Sequence, residues 1–270
     1  MPEHIRRLAA ALLVAAIPAC GGGGGGQPPP SEVAPVVSIP SAQTGEDYTF
    51  EIWLPPGYAQ GTASYPVIYA TDCEYRFNTL ADVLIGRSAR GATPAILVNI
   101  CAGTTLQRFN DYTMPGATAY FGFLTQELIP YVEAHYRTNA SKRVFSGHSL
   151  SGELAMYVLF LENPAHRYFT SIVSEEGSFW DTQSGMFQAE DYPPAIGMET
   201  AMRNASQSLP IDLFMAGDTT GNGALVTYVY NTVVSQQFQD LHLQHTTYSL
   251  GHVPMDGPAF SDAMTFIFGD

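Results

Sequence analysis

Val144-Phe145-Ser146-Gly147-His148-Ser149-Leu150-Ser151-Gly152 reads as a strand running into a sharp turn and out into a helix, with Ser149 at the turn. A turn that tight holds its central residue in a strained backbone conformation, so the positions two before and two after it must be small. Here they are Gly147 and Ser151. The usual pattern is G-x-S-x-G, and this chain carries serine in the fifth place with Gly152 following. As a bare string the motif is weak, because an ordinary turn after a buried strand would look the same. The flanking chain has to decide.

Working outward, Val67-Ile68-Tyr69-Ala70 and Ala95-Ile96-Leu97-Val98-Asn99-Ile100 are short and mostly apolar, as strands buried on both faces of a parallel sheet should be. Phe77 to Arg87 between them has helical spacing. Phe123 to Tyr136 forms an amphipathic pattern with Leu124, Leu128, Ile129, Tyr131 and Val132, and leads into the strand Arg143 to Phe145. Before these, Thr49 to Leu54 alternates and is stopped by Pro55-Pro56-Gly57, with a strand partner near Val36 to Ile39; an antiparallel entry is expected. After the turn come a helix over Glu153 to Leu161, a strand at Ser171-Ile172-Val173 and a Met-, Ala- and Pro-containing stretch from Gly185 to Gln207 that has no strand pattern and suits a small lid. A strand at Ile211 to Ala216, a helix at Leu225 to Leu241, a strand at Thr246 to Leu250 and a helix at Pro258 to Phe268 complete the chain. Strands alternating with helices predict an α/β fold with a mostly parallel, doubly wound sheet, in one domain over 33–270.

Residues 1–32 read differently. Arg6 and Arg7 precede an apolar run from Leu8 to Ile17 that ends in Pro18-Ala19-Cys20, the order of a secretory signal, and the run is too short to span a bilayer. Ile17-Pro18-Ala19-Cys20 is similar to a lipobox, so 1–19 is expected to be a lipoprotein-type signal peptide with Cys20 as the lipidated residue. The glycines and prolines of 20–32 then form a tether with almost no apolar side chain to bury. The expected location is the exported side of a cell envelope, with membrane contact only through that anchor. Formal charge of -14, with Lys and Arg totalling 11, argues against a nucleic-acid partner.

A serine hydroxyl at neutral pH needs a base within hydrogen-bond reach and a carboxylate to orient that base. His252 follows the last strand, where a loop at the carboxyl edge of the sheet would carry it over Ser149. His148 adjoins the serine, but its side chain is expected to point elsewhere. His242 and His245 are three apart, at what reads as a helix-to-strand junction, with no third ligand evident, and no metal is expected there. Asp218, in Gly217-Asp218-Thr219-Thr220 after a strand, is the expected acid, with Glu175 and Glu176 as rivals. Acyl transfer also requires aimed N–H donors for an oxyanion. Leu150 would supply one, and the turn Thr71-Asp72-Cys73-Glu74 the other, with Cys73 the chosen donor. Export to an oxidising compartment, with Cys73 and Cys101 ending neighbouring strands, predicts a disulfide between them.

The chain also resembles the putative esterase family of α/β-hydrolases, the group that includes esterase D, enterochelin-type siderophore esterases, feruloyl esterases and mycolyltransferases. The resemblance is carried by Tyr65-Pro66-Val67-Ile68-Tyr69 with Asp72, Arg108-Phe109-Asn110-Asp111-Tyr112-Thr113, Glu127-Leu128-Ile129-Pro130-Tyr131-Val132-Glu133, the Gly147-His148-Ser149 turn, Ser178-Phe179-Trp180 and Gly251-His252. It implies an α/β-hydrolase fold with Ser149 as nucleophile, His252 as base, and Leu150 and Cys73 as oxyanion donors. Trp180 would lie near the acyl pocket. Two departures stand out: Ser151 replaces the usual glycine, and Ser174-Glu175-Glu176-Gly177-Ser178 replaces a Ser-Pro-Ser run. Arg108 and Asp111 are read as a structural ion pair. The expected activity is hydrolysis of a small-molecule carboxylic ester through an acyl-serine, without a cofactor. Acyl transfer to an alcohol and an inactive surface binding protein are the alternatives.

Overall fold

The computed structural model describes residues 32–179 and 195–270. The signal, Cys20, most of the tether, Trp180 and the first half of the expected lid lie outside the described residues.

A nine-stranded sheet runs through the domain. Strands β1 (Glu32–Val33), β2 (Val37–Pro40) and β3 (Asp47–Leu54) form its antiparallel start, with β1 and β2 both paired to β3. β3 runs antiparallel to β5 (Ile96–Ile100). From there β5, β4 (Tyr65–Thr71), β6 (Thr138–His148), β7 (Ser171–Glu175), β8 (Ser208–Asp218) and β9 (Gln239–Tyr248) are all parallel in that spatial order. The sheet is the antiparallel entry and doubly wound parallel core that the apolar runs anticipate.

Alternation along the strands feeds two cores. Ile68, Leu97, Val144, Val173 and Phe214 face helices α1 (Cys73–Ala89) and α8 (Asp256–Phe268), where Leu80, Leu84, Phe260 and Met264 close the layer. Their neighbours Val67, Tyr69, Val98, Phe145, Ile172 and Leu213 face the other side. There α2 (Thr105–Tyr112), α3 (Gly116–Phe123), α4 (Ile129–His135), α5 (Leu150–Leu161), α6 (Ala195–Ala205) and α7 (Gly223–Ser235) cover the sheet. Helix α5, which carries the chain away from the Ser149 turn, is buried at 11 of its 12 positions, so its N-terminus is fixed by packing along its whole length.

Two expectations are corrected. The helix foreseen over Phe123 to Tyr136 is broken by a π turn at Leu124–Leu128 before α4 begins. Pro130 has no N–H to give and its ring crowds the carbonyl four residues earlier, and a widened turn accommodates both. The helix foreseen to Leu241 stops at Ser235, and β9 starts at Gln239. β9 is an edge strand with half-exposed Gln, His and Thr side chains, so it lacks the apolar run that marks an interior strand. Helix α6 occupies part of the stretch from Gly185 to Gln207, which carries no strand pattern.

Candidate active site

Ser149 sits between β6 and α5 at φ 62° and ψ −124°, a conformation that an L-residue adopts only when its surroundings enforce it. The enforcement is visible on both sides. A Cβ on Gly147 would lie 1.9 Å from the Ser151 carbonyl oxygen, so only glycine fits there. A Cβ on Gly152 would lie 2.4 Å from the Glu175 carbonyl oxygen, because α5 leaves the turn hard against the end of β7. The Ser149 N–H donates to Glu175 O at 2.9 Å, and Ser149 O accepts from the Ser178 N–H at 3.0 Å.

Ser151, where glycine is usual, is fully buried, and its hydroxyl has work there. It accepts from the His148 N–H at 2.9 Å and lies 2.9 Å from both Asp72 Oδ2 and His148 O, sharing its proton with that pair. Asp72 is itself at φ 63° as the residue before α1. Its carboxylate takes a two-pronged ion pair from Arg108, with Nε to Oδ1 at 2.7 Å and Nη2 to Oδ2 at 2.8 Å. The expected Arg108–Asp111 pair is therefore not formed; Asp111 accepts from the Tyr48 hydroxyl at 2.8 Å. Asp111 and Arg108 sit three apart on α2, and the helix turns Asp111 toward Tyr48 on β3.

Leu150 and Cys73 are the first residues of α5 and α1, so the N–H of each has no partner within its helix. Both helices begin at the same edge of the sheet, after the adjacent parallel strands β6 and β4. Cys73 is joined to Cys101 by a disulfide with the two Cα atoms 4.5 Å apart, tying the start of α1 to the end of β5.

His252 lies in the loop after β9. Its Nδ1 is 3.0 Å from Oε2 of Glu176, whose side chain is completely buried, while the imidazole itself is 40% exposed. Burial works to raise the Glu176 carboxyl, but hydrogen bonds from His252 and from the N–H groups of Asn222 and Asp218 outweigh it and hold the group below the usual range. Glu176 has φ 50°, which swings its side chain away from that of Glu175. A Cβ on Gly221 would come within 2.3 Å of Glu176 Oε2, so the bend at Gly221 leaves room for the carboxylate.

The carboxylate that reaches His252 is thus Glu176, not the expected Asp218. Asp218 Oδ1 accepts from the Thr220 N–H at 2.9 Å and from the Thr220 hydroxyl at 2.6 Å, and Oδ2 accepts from the N–H groups of Leu250 and Gly251 at 2.7 and 2.9 Å. The Thr220 bonds, followed by those from Gly251 and Leu250, hold its carboxyl well below the usual carboxylate range. Oδ1 is committed to its own turn at Thr220, and Oδ2 to the backbone of the loop that delivers His252. The other rival, Glu175, faces the opposite way and meets Arg76 Nη2 at 2.6 Å.

His148 also reaches this loop: its Nε2 is 2.7 Å from the His252 carbonyl oxygen, and the two rings stand 4.8 Å apart. A carbonyl only accepts, so Nε2 carries the proton. Burial pushes the His148 pKa down to about 4, which keeps the ring neutral at pH 7. Ser149, His148 and His252 line one cavity of about 580 Å³ at the carboxyl edge of the sheet. Ser149 Oγ lies 3.4 Å from Ser178 Oγ, and no direct hydrogen bond joins it to His252 among the described residues.

His242 and His245 both fall within β9 rather than at a junction. Three apart on a strand, they point to opposite faces: His242 meets Asp212 Oδ1 at 3.0 Å, and His245 stacks on Tyr230.

Comparison with known proteins adds a second line of evidence. A family described as "Putative esterase" matches residues 41–206, a span that contains Asp72, Ser149 and Glu176 and stops before Asp218 and His252. The ferri-bacillibactin esterase BesA of Bacillus subtilis (strain 168) is 27% identical over 164 residues, covering 50% of this chain and 56% of the relative. The match thus spans little more than half the length of that relative. Among solved structures, the BES protein from Bacillus cereus superposes with a TM-score of 0.70 at 20% identity, covering 88% of this chain and 94% of that one. An IroE-like serine hydrolase from Shewanella oneidensis gives 0.70 at 22% identity, with 89% and 80% covered. These likenesses establish the fold.

Proposed function

This chain belongs to the putative esterase family, and from that membership and the site geometry we propose that it is a serine hydrolase cleaving a carboxylic ester through an acyl-serine intermediate. The observation that carries the reading is a serine held at positive φ in the same cavity as a histidine whose Nδ1 rests on a buried carboxylate.

With Nδ1 engaged by Glu176, His252 Nε2 is the nitrogen left to take the Ser149 proton. Ser149 Oγ then attacks the ester carbonyl carbon, and the carbonyl oxygen becomes an oxyanion facing the N–H groups of Leu150 and Cys73. Collapse breaks the bond to the alcohol oxygen, which leaves with the proton returned by His252. Water, deprotonated by the same imidazole, attacks the acyl carbon; the bond to Ser149 Oγ breaks, His252 returns the proton to Oγ, and the carboxylic acid departs. In the resting chain the Ser149–His252 bond is open; such bonds commonly close only on binding substrate. The 40% exposure of the imidazole gives water a path to the acyl-serine, which favours hydrolysis over transfer to an alcohol.

BesA is named as a ferri-bacillibactin esterase, which brings a siderophore ester into the class of substrates to test. Attachment through Cys20 after removal of residues 1–19 remains part of the proposal, as does a place for Trp180 near the acyl group. Among the described residues no helix is long and apolar enough to cross a membrane.

The decisive variant is Ser149→Ala assayed on p-nitrophenyl acetate. Loss of at least about a thousandfold in kcat is expected, whereas cleavage at the parent rate would refute the assignment.

A further inference from the structure

The charges lining the cavity bear on which ester enters it. Among the described residues two guanidiniums reach its wall, Arg76 and Arg108, and both are engaged by carboxylates. Arg108 places both prongs on Asp72, at 2.7 and 2.8 Å. Arg76, 3% exposed, gives Nε to both oxygens of Asp256 at 3.0 and 3.1 Å, and gives Nη2 to Asp256 Oδ1 at 2.8 Å and to Glu175 Oε2 at 2.6 Å. Its Nη1 turns inward to the Ser146 carbonyl at 3.3 Å. Burial pushes the Glu175 carboxyl up against the pull of Arg76, and its charge is left out of the balance. Asp72 and Asp256 on the wall thus balance the two cations, and Glu176, completely buried behind His252, adds a further negative charge. The whole chain adds to this, with a formal charge of -14 whose field repels anions approaching the mouth.

The rim is apolar instead. Tyr75 is 80% exposed and Val253 72% exposed, and both line the cavity together with Pro254 and Pro258. Large side chains left this open beside a candidate nucleophile offer surface to a substrate rather than to the core.

We propose that the ester taken by this site is uncharged over the part that enters the cavity and carries an apolar or aromatic body laid against Tyr75, Val253, Pro254 and Pro258, and that strongly anionic esters, such as one held in a tris-catecholate iron(III) chelate, are turned away. This rests on the esterase reading above. It adds a selection by charge that the fold does not impose.

The test compares 4-(butyryloxy)benzamide with 4-(butyryloxy)benzoate, near-isosteric esters that differ by one negative charge, with rates corrected for spontaneous hydrolysis. At low ionic strength kcat/KM for the amide should exceed that for the benzoate by about tenfold. Val253→Lys places a cation on the rim and should narrow the ratio, with the narrowing lost at high salt. Asp72→Asn, which frees the charge of Arg108, should narrow it too; because a ratio is read, a general loss of activity cancels. Equal turnover of the two esters, faster cleavage of the benzoate, or a ratio unmoved by both substitutions overturns the charge selection and leaves the esterase reading standing. If neither ester is cleaved and Ser149 takes no fluorophosphonate label, both readings fall together.

Discussion

At the scale of single residues, the two carboxylates near His252 do different jobs. Glu176 touches the imidazole, and Asp218 holds the backbone that carries it. Replacing Glu176 by Gln removes the charge that would stabilise an imidazolium, so kcat on p-nitrophenyl acetate should fall by about a thousandfold or more. Asp218→Asn should cost less in kcat and more in melting temperature, because two loop N–H groups lose a charged acceptor. Parallel kinetics and thermal melts on the two variants separate the roles, and the reverse pattern would restore Asp218 as the orienting acid. The sequence already held a hint of this division. Asp218-Thr219-Thr220 is an Asx-turn pattern in which the carboxylate is drawn to the N–H two residues on, whereas Glu176 has no such local partner. What could not be read was the φ of 50° at Glu176, which depends on the close approach of Gly221 and Asn222 from 45 or more residues away.

Ser151 is another residue whose meaning lies in its contacts. Its hydroxyl links the Ser149 turn to Asp72, and through Asp72 to Arg108. Ser151→Gly restores the usual motif, yet it leaves Asp72 Oδ2 one buried donor short. A loss of about 1–2 kcal/mol in stability is expected by denaturant unfolding.

At the scale of elements, the turn before α1, the turn before α5 and the loop after β9 are held by different devices. The disulfide fixes the first. Removing it with Cys73→Ser and Cys101→Ser together opens a crosslink with a sequence separation of 28 and should cost about 3 kcal/mol. Because the N–H of Cys73 is a proposed oxyanion donor, kcat should drop as well; an unchanged kcat would separate the crosslink from catalysis. The His252 loop is held in part by His148, whose neighbours are Asp256, Arg76 and His252. Its folded pKa of about 4 lies below the ordinary 6.5, so between those values the unfolded chain binds the extra proton. Stability should therefore fall as pH drops from about 6.5 toward 4. The slope should be shallower in His148→Gln, as read from melting temperature against pH.

The interior elements were legible because their side chains announce two buried faces, as in Val67 to Ala70 and Ala95 to Ile100. Edge and surface elements were not. β9 is half exposed and mixes polar side chains along its length. Helix α2 is short, although Thr104 capping the Gln107 N–H at 3.1 Å is a start signal that sequence alone displays.

Across the whole molecule, the parallel core, the antiparallel entry and the positions of Ser149 and His252 at one edge of the sheet follow from the order of strands and helices, and the superpositions on solved structures agree with that order. The pairing of side chains at the site did not follow from order. It depends on which of several acids each turn swings inward, a matter of backbone angles set by glycine contacts distant in sequence. The central claim is that this edge is a working serine centre. The most direct measurement is treatment of the purified chain with a fluorophosphonate, followed by mass mapping of the adduct. A single adduct on Ser149, absent in Ser149→Ala, is the predicted result; an unlabelled chain, or an adduct on a different serine, would contradict it.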